Sequence, residues 1–510
     1  MKKYLNLFDL SQQVNYKNEI LSGLTVALAL VPEAVAFALI AGLSPLTGLY
    51  AAFVMGLVTA IFGGRPGMIS GATGAVAVVV VSLAKYYGVE YVFAAVILAG
   101  LLQLGAGLLR LGKFIRLVPH PVIFGFVNGL AIIIFLSQLN QFKTADGQWL
   151  SGSVLLVLLA LVLLTMLIIW GLPRITKAVP ASLTAILVVF GLVKLLGIDT
   201  KTVGDIAAIA GGFPPFHIPQ VPFSFETLQI IFPFAAIIAG VGLIESLLTL
   251  NIIDEITETR GRGNKEAVAQ GMANVLSGLF SGMGGCAMIG QSLINISAGA
   301  RARLSGIVAA VMLLVFVMFG ASLIEQVPMA ALTGLMIMVA FGTFEWASLK
   351  TFRRMPPSDI LVMVLVTLVT IFLHNLALAV LVGVIIAALV FAWDNAKRIR
   401  ARKYVDAAGV KHYEMYGPLF FGSVSTFNEK FDVLHDPQEV VVDFADSRIV
   451  DMSAIEAVNK LTERYSKAGK RLQLKHLSAD CRRLLSNAAD IIDVNVMEDP
   501  TYKVVTDQAD

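Results

Sequence analysis

The chain has 510 residues, 57% of them hydrophobic and 14% charged, with a mean hydropathy of +0.81. That composition excludes a soluble globular protein and points to a polytopic α-helical membrane protein. A net charge of +3 gives no ground for a nucleic-acid partner. Two distant cysteines, Cys286 and Cys481, offer neither a disulfide nor a metal-binding spacing.

Taken in order, residues 1–19 carry no cleavable signal pattern and read as a cytoplasmic lead-in. Apolar runs follow at 20–41, 47–63, 69–84, 91–110, 117–138, 153–171 and 180–197. The stretch Gly211-Gly212-Phe213-Pro214-Pro215 breaks the pattern. A second series runs at 227–252, 264–281, 286–299, 304–320, 327–344, 357–373 and 375–394. The runs predict 14 spans, seven plus seven, in a membrane domain over 20–400, with halves at about 20–197 and 227–397.

Charge placement orients the chain. An even number of spans puts Lys2, Lys3, Lys17, Arg65, Arg110, Lys113, Arg116, Arg174, Lys177, Arg260, Arg262, Lys265, Arg301, Arg303, Lys350, Arg353, Arg354 and the cluster at 397–403 on the side of both termini. The other side receives Lys85, Lys143, Lys194 and Lys201. By the positive-inside rule both termini are cytoplasmic, and the basic cluster is an anchor able to touch anionic lipid. An odd number of spans per half makes the halves inverted. The repeated Val118-Pro119-His120-Pro121-Val122-Ile123 and Val327-Pro328-Met329-Ala330-Ala331-Leu332, each before an equivalent span, agree with that.

Two runs are interrupted by small and polar residues. Met68-Ile69-Ser70-Gly71-Ala72-Thr73-Gly74-Ala75-Val76-Ala77 reads as a short extended lead-in followed by a half-helix, and Gly284-Gly285-Cys286-Ala287-Met288-Ile289-Gly290-Gln291-Ser292 is its counterpart in the second half. A half-helix beginning inside the membrane leaves its first N–H groups and its positive dipole end for an anion. One such segment per half is the sequence mark of a transporter's binding site. The alternative is ordinary glycine-mediated helix packing.

Residues 404–510 change character. Glu439-Val440-Val441-Val442-Asp443-Phe444 reads as a buried strand, 453–465 as a helix with Ile455, Val458 and Leu461 on one face, and Arg471-Leu472-Gln473-Leu474 as the next strand. This predicts a small soluble α/β domain on the cytoplasmic side.

At this point the chain resembles the SulP (sulfate permease) anion transporters. The motifs are Pro32-Glu33-Ala34-Val35-Ala36-Phe37-Ala38, Gly42-Leu43-Ser44-Pro45-Leu46-Thr47-Gly48-Leu49-Tyr50, Phe62-Gly63-Gly64-Arg65-Pro66-Gly67 leading into Ser70-Gly71-Ala72-Thr73-Gly74, Glu245-Ser246-Leu247-Leu248, and Gly299-Ala300-Arg301-Ala302-Arg303-Leu304-Ser305-Gly306. Tyr416-Gly417-Pro418-Leu419-Phe420-Phe421-Gly422 and Asp451-Met452-Ser453-Ala454 resemble a STAS domain, the fold of anti-sigma-factor antagonists. The resemblance implies a 7+7 inverted-repeat fold of the uracil-permease kind, with core and gate domains, elevator-type movement, a homodimer, and STAS at 404–510. It places substrate at Thr73, Gly74 and Ala75 and at Met288, Ile289, Gly290, Gln291 and Ser292.

The residues themselves add chemistry. Glu245 lies in an apolar stretch, where a carboxylate reads as functional. It would bind Na⁺ or carry a proton, or simply pair with a nearby donor. The resemblance puts it at the family's acidic coupling position. Thr249, one turn on, offers a hydroxyl to the same ion or to its own helix. Glu33 follows Pro32, which removes a backbone donor and opens the helix. An ionised Glu33 would repel an anion and a protonated one would not, so Glu33 is a proton-coupling candidate, with a structural role at the kink as the alternative. Many family members have glutamine there. Phe37 walls the pocket or packs in the core. Where eukaryotic exchangers of the family often have arginine, this chain has Gln291, so no fixed positive charge is supplied. Cys286 reads as a small packing residue. His120 and His374 read as interfacial histidines ahead of proton relays. Ser453 matches the position phosphorylated in STAS antagonists, where a phosphate adds about −2 charge, or else is a helix N-cap. No GxxxxGK[ST] loop is present.

The sequence therefore predicts a secondary transporter, not an enzyme, in the cytoplasmic membrane. Its expected cargo is a small inorganic anion, sulfate first and bicarbonate second, moved in symport with H⁺ or Na⁺. No cofactor is expected beyond that ion, and a cytoplasmic partner of the STAS domain is. Alternatives are an uncoupled anion exchanger or channel, a dicarboxylate transporter, a membrane-tethered STAS regulator and a nucleobase carrier.

Overall fold

The computed structural model describes residues 15–477 and 496–497, apart from 112–118, 145–146, 151, 177–179, 207–211, 352–353 and 374–375. The sequence readings on residues 1–14, Lys113, Arg116, Lys177, Arg353, His374 and Cys481 fall outside the described residues. The chain divides into two units, Met1–Val384 and Ile385–Asp510.

In the first unit the apolar runs become helices. They are α1 (Tyr16–Ile40), α2 (Pro45–Phe62), then strand β1 (Ser70–Gly71), α3 (Gly74–Tyr87), α4 (Val89–Leu108), α5 (His120–Gln138), α6 (Gly152–Ile175), α7 (Ala181–Leu196) and the short α8 (Val203–Ile206). There follow α9 (Phe225–Thr257), α10 (Gly263–Leu279), strand β2 (Cys286–Ala287), α11 (Ile289–Ser297), α12 (Leu304–Phe319), the short α13 (Ala321–Glu325), α14 (Met329–Thr343), the short α15 (Trp346–Thr351), α16 (Pro357–Leu373) and α17 (Leu376–Ala396), the last of which continues past Val384 into the second unit. Six described helices are long and apolar enough to cross a membrane: α1, α2, α4, α5 with the turn after it, α6 and α9. At 1.5 Å per residue, α3 with 14 residues and α11 with nine fall well short of a bilayer core of about 30 Å. Both interrupted runs are thus short helices preceded by an extended pair of residues.

Packing follows a pattern. α1 lies on α12 and α9 on α4; α4 lies on α10 and α12 on α2; α5 lies on α16 and α14 on α6; α1 touches α11 and α9 touches α3.

The polar ends of these helices are satisfied internally. α1 starts at Tyr16, and Glu19 in its first turn is buried. Its carboxylate accepts from the N–H groups of Arg301 at 2.6 Å, Ala302 at 2.8 Å and Ser305 at 2.9 Å, capping the start of α12. Arg303 donates to the carbonyls of Ala60 and Gly63 at the end of α2. Arg65 pairs with Asp254 at 3.2 Å and donates to Thr257 and Thr259. These basic residues, which in the sequence served orientation and family resemblance, tie helix ends together. α1 runs unbroken through Pro32, so the proline deletes one donor without opening the helix. His120 is exposed at the start of α5, with its ring against Phe124.

The second unit is a five-stranded sheet in the order β3 (Arg400–Val405), β4 (Lys411–Leu419), β5 (Glu439–Ile449), β6 (Arg471–Lys475), β7 (Val496–Met497). β3 and β4 are antiparallel and the remaining pairs parallel. The predicted β-α-β unit is β5, α19 (Met452–Lys467) and β6, after the short α18 (Val424–Asn428). Val440, Val442 and Phe444 meet Ile455, Val458 and Leu461 in the core. The sheet begins at Arg400, before the expected boundary at 404. Arg400, Arg402 and Lys403 therefore belong to an edge strand paired with Tyr416, Glu414 and Tyr413, where charge blunts an open edge. Ser453 is not the N-cap. Asp451 caps α19 by accepting the Ala454 N–H at 2.9 Å, and Ser453 is exposed within the first turn.

The core of this unit is pinned at Asp436, which is 4% exposed. Its carboxylate pairs with Lys411 at 2.8 Å and accepts from the Tyr413 and Tyr465 hydroxyls. Burial alone would raise the Asp436 carboxyl, but the bonds from Lys411, Tyr465 and Tyr413 outweigh it and hold the group below the usual aspartate range. The stability it contributes is therefore present at neutral pH and lost as pH falls through that depressed value. Asp436→Ala is expected to cost about 3 kcal/mol by stranding its partners, read as lost hydrogen-exchange protection across β4 and α19 in the full-length protein.

Candidate functional site

The two interrupted segments meet. β1 and β2 pair antiparallel, with Ser70 opposite Ala287 and Gly71 opposite Cys286. α3 and α11 leave this ladder in opposite directions, so both helix starts face back toward the crossing. The Met288 N–H donates to Ile69 O at 2.9 Å. The Ser292 hydroxyl accepts from the Ile69 N–H at 2.9 Å, and Ser246 accepts from the Ala287 N–H at 3.1 Å. Asn274 exchanges two bonds with the Gly285 backbone and donates to Gln103, while Gln270 donates to Ser70. Buried backbone groups that could join no helix are thus paired one by one.

The helix starts themselves are left free. The first ladder bond of α3 runs from the Ala77 N–H to Thr73 O, and that of α11 from the Ser292 N–H to Met288 O. The N–H groups of Gly74, Ala75 and Val76, and of Ile289, Gly290 and Gln291, therefore lie outside their ladders. Neither cap side chain fills them. Thr73 is a residue type that commonly caps, yet its hydroxyl lies 3.2 Å from Cys286 Sγ instead. A Cβ on Gly290 would meet open space. A Cβ on Gly74 would come within 2.9 Å of the Phe37 ring, so Phe37 sits over the start of α3.

Two carboxyl groups reach the crossing, Glu33 directly at the other half's short helix and Glu245 through Cys286 of its own half. Glu33 on α1 accepts from Gln291 Nε2 on α11 at 2.8 Å. Glu245 on α9 accepts from Cys286 Sγ at 2.9 Å, and that sulfur also touches Thr73, the residue before α3. The Thr249 hydroxyl donates to Glu245 O at 2.8 Å within its own helix.

The predicted residues Thr73, Gly74, Ala75, Met288, Ile289, Gly290, Gln291, Glu33, Glu245 and Phe37 therefore gather around one crossing. Ser292 is fully buried and its hydroxyl serves the ladder. Cys286, read only as packing, is a hydrogen-bonding link; its place in a glycine-broken stretch was the available signal. The Glu33–Gln291 contact spans 258 residues and has no local signature. A cavity of about 170 Å³ reaches α1 at Ala36, beside Phe37. A larger one of about 410 Å³ shares Gln141, Met329 and Thr333 with it and is lined by none of the crossing residues.

Residues 16–366 match the Sulfate permease family and residues 403–503 the STAS domain. The putative sulfate transporter YbaR of Bacillus subtilis (strain 168) is 42% identical, over 95% of this chain and 100% of that protein. The bicarbonate transporter BicA of a Picosynechococcus species is 30% identical, over 92% of this chain and 90% of that protein. The solved transmembrane domain of a cyanobacterium bicarbonate transporter BicA has a TM-score of 0.62 at 32% identity, covering 74% of this chain and 98% of that one. The murine Solute Carrier 26 family member A9 anion transporter, inward-facing, shares the fold with a TM-score of 0.83 at 18% identity, over 95% of this chain and 90% of that one.

A Cβ on Gly285 would lie 1.9 Å from Gly71 O. Gly285→Ala is therefore expected to force the strands apart at a cost of about 3 kcal/mol. Gly240→Ala, where a Cβ meets nothing within 4 Å, stays within about 0.5 kcal/mol of the parent. Thermal melts of the detergent-purified proteins check both.

Proposed function

The chain belongs to the sulfate permease family, and on that premise we propose that it is a secondary active transporter of a small inorganic anion across the cytoplasmic membrane. Sulfate is the first substrate and bicarbonate the second, in keeping with the names of its relatives. The observation that carries this reading is the crossing. Two helix starts converge there with N–H groups outside their ladders. No lysine or arginine stands in either crossing segment. Donors of this kind hold an anion through fixed dipoles, and the site has space at Gly290 and a wall at Phe37.

Gly74, Ala75, Ile289, Gly290 and Gln291 supply the N–H groups, with Thr73 and Met288 shaping the two caps. Because no fixed cation neutralises the substrate, a co-transported H⁺ or Na⁺ does so at Glu33 or Glu245, with Thr249 able to lend a lone pair to a cation beside Glu245. The membrane domain is proposed as 14 spans in two inverted halves. Supporting this, the larger packing pairs recur when α1, α2, α4, α5 and α6 are exchanged for α9, α10, α12, α14 and α16: α1 on α12 becomes α9 on α4, α4 on α10 becomes α12 on α2, and α5 on α16 becomes α14 on α6. Glu33 on α1 and Glu245 on α9 lie on exchanged helices. The crossing and the helices around it then form a core that moves past a gate of the remaining spans, within a homodimer. Both termini and the STAS domain are cytoplasmic, with Ser453 exposed to a modifying partner.

Uptake of labelled sulfate and labelled bicarbonate into proteoliposomes, with inward pH and Na⁺ gradients imposed separately, tests this reading. Accumulation is expected from one gradient and is expected to be lost in Glu33→Gln or in Glu245→Gln. A chain cut before the STAS domain is expected to retain substrate binding. Equilibration that ignores both gradients would make the protein an uncoupled exchanger or channel.

A further inference from the structure

Gln291 is the third residue of α11 and 3% exposed. Its Nε2 donates to Glu33 Oε1 at 2.8 Å, while its Oε1 is buried without a partner among the described residues. A buried, unsatisfied amide oxygen is costly and calls for an explanation. An ionised carboxylate can only accept, whereas a protonated one also donates. A carboxamide keeps its shape when a half-turn about its last bond exchanges oxygen and NH₂.

We propose that Gln291 reads the protonation state of Glu33, and so sets whether the start of α11 presents an oxygen or an N–H donor to the anion. With Glu33 ionised, the amide NH₂ is held by the carboxylate and the orphan oxygen remains beside the helix start, repelling an oxoanion. When Glu33 takes one proton from water, its O–H donates to Gln291 Oε1 and the carboxamide turns. The released NH₂ then joins the N–H groups of Ile289 and Gly290 as a donor. One proton is bound, one N–H···O bond is replaced by one O–H···O bond, and no covalent bond of the amide changes. Loss of that proton on the far side reverses the turn and expels the anion. Proton and anion thus favour each other through a neutral side chain, as reciprocal coupling requires.

No other ionisable group bonds the Glu33 carboxyl among the described residues; Glu245 on α9, which packs on α11, reaches the crossing through Cys286 instead. Of the elements packed on α1, α11, α12 and α14 carry none, α2 carries Tyr50, α3 carries Lys85, Tyr86 and Tyr87 at its far end, and α7 carries Lys194. None of these is recorded in contact with the Glu33 carboxyl, whose polar partner among the described residues is Gln291.

This inference rests on the transport reading, and its test separates the two. Labelled sulfate and labelled bicarbonate exchange is measured in proteoliposomes at several pH values, together with accumulation under an imposed pH gradient. In the parent protein the anion KM is expected to fall as pH falls. Gln291→Met, of similar length without donor or acceptor, slows exchange, makes KM independent of pH and cuts gradient-driven accumulation about tenfold. Glu33→Gln also removes the pH dependence, and the double variant is no worse than the poorer single one, because the two residues act as one unit. Gln291→Asn, which keeps the amide, restores part of the pH response. A Gln291→Met protein with the parent's pH profile overturns the inference, as do losses that multiply in the double variant. A parent protein that exchanges anion without any pH response overturns this inference alone; one that exchanges neither anion overturns the transport reading.

Discussion

Backbone polarity inside the membrane is the constraint on which the rest of the first unit depends. Two extended stretches lie among helices, and their N–H and C=O groups have no water to turn to. They are satisfied by each other, in the ladder between β1 and β2, and by side chains brought for the purpose: Ser246 from α9, Asn274 from α10, and Ser292 from α11. Gly285 is required because the strands cross too closely for any side chain. Once the strands are fixed, the starts of α3 and α11 are fixed with them, and so are the N–H groups left outside their ladders. Unpaired donors are what remains at the crossing when the neighbouring backbone has been paired.

The charges around this site are distributed unusually. Arg65 and Arg303 are spent at helix ends, and the crossing segments contain no basic residue. What reaches the crossing is acidic, Glu33 through Gln291 and Glu245 through Cys286. Glu33 comes from the first half of the chain and touches the short helix of the second, whereas Glu245 bonds Cys286 of its own half, whose sulfur reaches Thr73 of the first. A site with acids and dipoles but no fixed cation binds its anion weakly unless a cation or proton arrives too.

Much of this was legible in the sequence because the signals were local. Hydropathy located the helices, and small or polar residues within two apolar runs located both breaks. Alternation located β5, and helical spacing located α19. Asp451, three residues before Ala454 at the start of α19, was an equally local capping signal, obscured by the resemblance that drew notice to Ser453. The edge strand from Arg400 was hidden because its arginines and lysine also suit a membrane anchor. What the sequence could not reveal were contacts between distant residues: Glu19 on the start of α12, Cys286 between Glu245 and Thr73, and Gln291 on Glu33. Each depends on the two halves having packed, and nothing in the neighbouring residues announces it.

The most direct test of the central claim is to locate a bound anion. Selenate, an oxoanion of sulfate's shape, can be soaked into crystals of the full-length protein and found by its anomalous scattering. The account predicts a peak at the crossing, within hydrogen-bond distance of the N–H groups of Gly74 or Ala75 and of Gly290 or Gln291. A peak at the 410 Å³ cavity by Lys143 and Lys201, with the crossing empty at the same concentration, would contradict it.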